Sequence, residues 1–146
     1  MAALACYKPR HRSRLIYRTH RARPNRVGRW GFGWTDYRDL LFAAHHQLKR
    51  PLVVVCDNPT SHTALGMRAF AADADWLTVY QLPTYAPDLN PVEGIWSVLR
   101  RSLANTIFTD PDHLTAAVRT RLRRIQHRPN LIDGCLTGTG LNPIAP

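Results

Sequence analysis

No aspartate or glutamate occurs in the first 35 residues, and lysine is found only at Lys8 and Lys49. The opening stretch therefore offers no carboxylate for metal or acid–base chemistry. Cysteine is scarce as well: Cys6, Cys56 and Cys135 stand far apart with no C-x-x-C pair. That spacing indicates neither a zinc site nor a disulfide framework, and free thiols suit a reducing cytoplasm. Long apolar runs are missing too. Segments such as Leu52–Cys56 fall far short of the roughly 20 residues that span a bilayer. The apolar start, Met1 to Tyr7, comes before the basic segment and not after it, so it is not built as a signal peptide. No internal repeat is found.

What is there in excess is positive charge. In 146 residues, 20 Lys and Arg face 10 Asp and Glu, a formal net charge of +10, with a pI near 10.6. The apolar fraction, 45%, is that of a globular protein with one modest core. A field of this sign favours polyanions, nucleic acid first. An anionic membrane surface would require a basic amphipathic helix with large apolar anchors, and only residues 112–128 come near that pattern; no membrane partner is expected. The cations are nearly all arginine, whose fork grips phosphate bidentately; a codon bias in a GC-rich genome accounts for the same excess. Nine Lys and Arg residues and no acid lie between Lys8 and Arg29. Such a run is a solvated arm or a track for a phosphate backbone, with Arg10, Arg12 and Arg14 as candidate DNA contacts.

The pattern predicts strands over 2–7 and 14–19, joined by a turn at Lys8 to Arg10. A helix is expected from Thr35, as cap, to about Leu48, because Tyr37, Leu40, Leu41, Ala44 and Leu48 share one face. Leu52–Cys56 is continuous, apolar and β-branched, the signature of a parallel strand covered on both faces. Helix 63–72, strand 77–82, helix 90–104 and a helix from Asp110 with Leu114, Val118, Leu122 and Ile125 inside follow in turn. Residues 129–146, rich in Gly and Pro, read as an irregular tail behind a domain of 1–128. The alternation of strands and helices gives an α/β layered fold with an antiparallel opening and a sheet incomplete at its start.

Two acids occupy positions where chemistry can sit. Asp57 ends the strand LVVVC, and ligands of open α/β sheets bind beyond strand carboxyl ends; a turn aspartate bonded to its own backbone is the structural alternative. Glu93 falls at the third position of a helix with Asn90 as N-cap and Pro91 behind it. That is the layout of a capping box, in which Glu93 would accept from the Asn90 N–H. Its angle of about 100° from the apolar stripe centre also lets it border a cleft. Two such carboxylates, 35 residues apart, would repel without a cation between them, and Mg²⁺ takes oxygen ligands.

The segments PLVVVCDNPTSH and LPTYAPDLNPVEGIWSVLRRSLAN, with GFGWTDYRDLLFAAHHQL and the terminal LIDGCLTGTGL, resemble the transposases of bacterial insertion sequences related to the mariner superfamily. The resemblance covers essentially the whole chain. It implies a ribonuclease H-like mixed sheet flanked by helices, in which Asp57 is the second and Glu93 the third catalytic carboxylate around Mg²⁺ or Mn²⁺. It implies metal-dependent cleavage of DNA at element ends and transfer of the 3′-OH to target DNA, in a bacterial cytoplasm at the nucleoid. Asn58, His62 and Asn90 would flank the metals. By helix spacing, Arg100, on the Glu93 flank, and Arg101 either hold a phosphate near the site or form a solvated helix face. The family's first Asp lies on a strand before AALACY, and no acid stands there; Asp36 and Asp39 belong to a helix and do not replace it. The expectation is a partial catalytic domain lacking its first strand, completed by an upstream segment or by another transposase subunit. Alternatively the chain is a catalytically dead remnant that only binds DNA non-specifically.

Overall fold

The computed structural model describes residues 1–19, 32–57, 65–83 and 86–141. Its elements, in order, are β1 (Ala2–Cys6), β2 (Arg14–Arg18), α1 (Trp34–Leu48), β3 (Leu52–Cys56), α2 (Leu65–Asp73), β4 (Leu77–Gln81), α3 (Pro91–Leu103), α4 (Pro111–Gln126) and α5 (Pro129–Thr137), with a short 3-10 turn at Pro87–Leu89 before α3. The protein is α/β, and its chain divides into two compact units. The first holds Met1–Ala2 and His20–Ala86, the second Ala3–Thr19 and Pro87–Pro146.

The first unit, here the sheet unit, is built from α1, β3, α2 and β4. β3 and β4 pair in parallel, Leu52 opposite Leu77 through to Cys56 opposite Gln81. The ladder closes at both ends, Leu52 N–H donating to the Trp76 carbonyl (2.7 Å) and Leu82 N–H to that of Cys56 (2.8 Å). Parallel strands need a crossover long enough for a helix, and α2 supplies it. α1 is capped two residues earlier than expected: Gly33, not Thr35, is the N-cap, and its N–H donates to the Asp36 carboxylate at 2.9 Å. At the other end Lys49 takes a left-handed conformation and donates its N–H to the His45 carbonyl, which tightens the last turn. Leu40, Leu41 and Ala44 are buried, while Phe42, Phe70, Trp76 and the stacked His45 ring gather at one end of the unit. α1 and α2 approach so closely that a Cβ on Gly66 would lie 2.6 Å from the Trp34 ring.

β3 departs from its expected burial. Val53 and Val55 are 70% and 57% exposed, and their register partners Thr78 and Tyr80 are exposed with them. Side chains alternate across a strand, so Cys56 and Leu77, which are buried, mark the face toward the helices. Among the described residues of this unit, α1 and α2 provide one helical layer, and the second face has no cover. The apolar run made the strand look two-sided; hydrophobicity of residues does not by itself supply the layer that buries them.

The second unit, here the helical unit, packs α3, α4 and α5 with β2, which pairs with β1. Leu15, Ile95, Leu99, Leu122, Ile125 and Ile132 form its core. α3 starts at Pro91 with the Asn90 side chain accepting from Val92 N–H at 3.1 Å, and α4 at Pro111 with Asp110 accepting from His113 N–H at 2.8 Å. That bond, with one from Thr109, holds the Asp110 carboxyl below its ordinary range. Residues 129–137 are helical, not irregular as their composition suggested. Pro129 takes the first helical position, where its missing N–H costs nothing, and Ile132 and Leu136, one turn apart, are buried. Tyr7 Oη donates to the Ile132 carbonyl (2.9 Å), Ser13 Oγ bonds the Asp133 carboxylate, and Gln126 Nε2 donates to the Leu15 carbonyl (2.8 Å). The two ends of the sequence are thereby tied into one body.

Candidate active site

Asp57 follows the last residue of β3, where the ladder bond from Leu82 holds the strand to its end. It is exposed. Its carboxylate makes no hydrogen bond or ion pair among the described residues; the turn of the alternative reading, from Asn58 on, lies outside them. The neighbouring Cys56 thiol is pushed up by burial and then by the negative charge of Asp57, so the thiol stays protonated at neutral pH. This corner of the sheet unit thus presents a carboxylate at a strand end, with no partner among the described residues.

Glu93 lies in the first turn of α3, half-buried. A capping box would need its carboxylate on the Asn90 N–H, but that N–H donates to the Pro87 carbonyl at 2.9 Å. The 3-10 turn before the helix takes the donor, and the Glu93 carboxylate is left without a hydrogen bond or ion pair among the described residues. Negative charge is favoured at a helix start, so the position holds an ionised acid at low cost. Two neighbours fix its height in the fold. Ile95 and Leu99 are 0% and 1% exposed, and a Cβ on Gly94 would come within 3.1 Å of Cys135 Sγ on α5. Burial raises the Cys135 thiol, with Arg101 lowering it.

The remaining candidates divide. Asn58 and His62 lie outside the described residues. Asn90 is the cap just described. Arg100 and Arg101 are exposed on the last turn of α3; seven residues separate Arg100 from Glu93, which puts both on one flank. Arg10 takes a left-handed turn conformation. Arg12 donates to the His127 carbonyl at 3.2 Å, a use that ties the loop after β1 to the end of α4. Arg14 is exposed and lies close enough to Cys6 to oppose the burial that lifts that thiol to about 11. Asp36 caps α1 and Asp39 pairs with Arg38 at 2.8 Å, so the two acids set aside as replacements for a missing carboxylate have structural partners.

Among the described residues no group of three or more His, Cys, Asp or Glu side chains clusters as a metal site. Asp57 and Glu93 each offer carboxylate oxygens, the donor type that a hard divalent cation takes, and neither has a protein donor on it among the described residues. Sequence reasoning passed over one feature. A groove of about 480 Å³ in the helical unit is lined by Tyr17, Arg18, Thr19, Arg119, Thr120 and Arg123. The signal present in the sequence was the one-turn spacing of Arg119 and Arg123; the strand end they meet lies a hundred positions away.

Comparison with protein families matches residues 35–115 to the DDE superfamily endonuclease model. Neither curated proteins nor solved structures give a match. The match takes in α1 through the start of α4, including Asp57 and Glu93, and exceeds half of the chain. The chain belongs to the DDE superfamily endonuclease family. It is a transposase-like nuclease domain by class, and its α/β architecture is that of a ribonuclease H-like domain. No helix among the described residues is long and apolar enough to cross a membrane.

Proposed function

We propose that the chain is catalytic-domain sequence of a DNA transposase of the bacterial insertion-sequence, mariner-like kind, and that Asp57 and Glu93 are two of its metal-holding carboxylates. The observation that carries this reading is that both acids lie inside the family match, each at the end of a rigid element, each with no protein partner among the described residues. Bound there, Mg²⁺ or Mn²⁺ would activate the attacking oxygen and stabilise the leaving one in phosphodiester cleavage and joining. Asp57 and Glu93 would orient that centre. Asn58, His62 and Asn90 would flank it, and Arg100 and Arg101 would neutralise an incoming phosphate. Arg10 and Arg14 would extend the DNA contact. No side chain is cast as a nucleophile, so water and then a 3′-OH attack. A further carboxylate would come from outside these 146 residues, from another segment or another subunit, since no acid precedes Asp36. The catalytic domain covers 1–128, with α5 attached because Ile132 shares the core. Its place is the bacterial cytoplasm at the nucleoid.

The test joins metal binding to DNA cleavage. Mn²⁺ binding, followed by electron paramagnetic resonance, should weaken in both Asp57→Asn and Glu93→Gln. With the segment or subunit that supplies the further carboxylate present, nicking of supercoiled plasmid in Mg²⁺ or Mn²⁺ should fall on the order of 10²-fold or more in each, the scale on which loss of one essential charge-stabilising group is felt. Unchanged Mn²⁺ binding or unchanged nicking would overturn the assignment. DNA binding with no nicking even when that segment or subunit is supplied would favour the second reading, a DNA-binding remnant, for which the net charge of +10 is the supporting observation.

A further inference from the structure

The groove between the end of β2 and α4 has a construction that the catalytic reading does not use. Two side chains clamp β2 along the helix. Gln126 Nε2 donates to the Leu15 carbonyl, and Arg119 Nε donates to Thr19 Oγ1 at 2.9 Å. Leu15 meets a late residue of α4 and Thr19 an earlier one, so the strand runs opposite to the helix. The Arg119 fork is therefore held in place by its Nε while its terminal nitrogens remain donors. Arg123 lies one turn further on, within the roughly 5–6 Å that separates Cβ atoms at this spacing. Arg18 brings a third guanidinium to the rim, and Thr19, Thr120 and Tyr17 line the groove between them. No carboxylate is among the six lining residues.

We propose that this groove seats the phosphate backbone of DNA, at a place distinct from Asp57 and Glu93. The inference rests on the DNA-cleaving reading above and adds a holding surface to it. Arginine forks, hydroxyls and a phenol are the side chains that contact phosphate and sugar and carry no base information. An anchored arginine loses less rotamer freedom on meeting a phosphate than a free one. An acidic lipid surface would need apolar anchors beside the cations, and the groove offers only the Tyr17 ring.

The experiment is a salt titration of binding to DNA duplexes of unrelated sequence, with the full chain. Each phosphate neutralised contributes about 0.9 to the slope of log K against log salt. Arg119→Gln with Arg123→Gln should lower that slope by about 2 and weaken binding to all the duplexes alike. Arg121→Gln with Arg124→Gln, the same charge change on the same helix outside the groove, should lower it by less than half as much. Arg123→Gln alone keeps the Thr19 anchor, and a slope loss of about 1 with an unchanged melting temperature separates the phosphate role from folding. Equal slopes for the two double variants would overturn the groove while leaving the DNA reading intact. No DNA binding by the unsubstituted chain would sink both. Preference for phosphatidylserine vesicles over DNA, lost in the groove variant, would overturn the proposal in favour of a membrane surface.

Discussion

The two units handle their hydrophobic residues in opposite ways. All five of the largest fully buried side chains, Leu15, Ile95, Leu99, Leu122 and Ile132, belong to the helical unit. The sheet unit has an aromatic cluster at one end, yet leaves Val53, Val55 and Tyr80 of its parallel strands more than half exposed. The difference is one of layers. Three helices and a strand pair surround a common centre, whereas a two-stranded sheet with one helical layer has a second face that no described residue of its own unit covers. The helical unit should therefore carry most of the cooperative stability, and the sheet unit should tolerate change on its open face.

Three substitutions sharpen or break that contrast. The largest effect is expected from Ile95→Ala, which removes a side chain with no exposure from the centre of the helical unit. Loss of a buried aliphatic side chain costs about 2–5 kcal/mol. Denaturant unfolding should show it, and a loss below about 1 kcal/mol would mean that the core is loose. Next comes Gly66→Ala in the sheet unit. The added methyl would meet the Trp34 ring at 2.6 Å. Overpacking of this kind costs about 1–3 kcal/mol, against about 1 kcal/mol gained in helix propensity. A fall in melting temperature is expected, and a rise would show that α1 and α2 pack less closely. The smallest effect belongs to Val53→Thr with Val55→Thr. On an open face the pair should change stability by no more than about 0.5 kcal/mol. A loss well above that would reveal a covered face and erase the contrast.

Much of this was legible from residue pattern. Leu52–Cys56 and Leu77–Gln81 were visible as strands because β-branched runs bounded by turns have few other outcomes. Asn90 with Pro91 marked the start of α3 because both residues suit only that junction. α5 was hidden by its composition: Gly134 and Gly138 flank the apolar Ile132 and Leu136, and only packing against α3 and α4 makes the segment helical. The freedom of Glu93 was hidden for another reason. Local sequence offered the Asn90 N–H as its partner, and a carbonyl three residues upstream, at Pro87, took that donor instead. The candidate catalytic acids, Asp57 and Glu93, were singled out by motif. Their positions at element ends follow from strand and helix limits, whereas the groove at Arg119 depends on a contact between residues 100 positions apart, which no local pattern records.

The bond from Tyr7 to the Ile132 carbonyl spans 125 residues, and Ser13 reaches Asp133 across 120. On a ribosome these partners emerge 120 residues or more apart. At roughly 5–20 residues per second, β1 and β2 wait many seconds for α5. The sheet unit joins residues only 25 apart, as Leu52 to Leu77, and can assemble while that wait continues. Translation thus sets an order of events: the open-faced sheet forms early, and the well-packed core that makes the molecule durable closes only after α5 has been made.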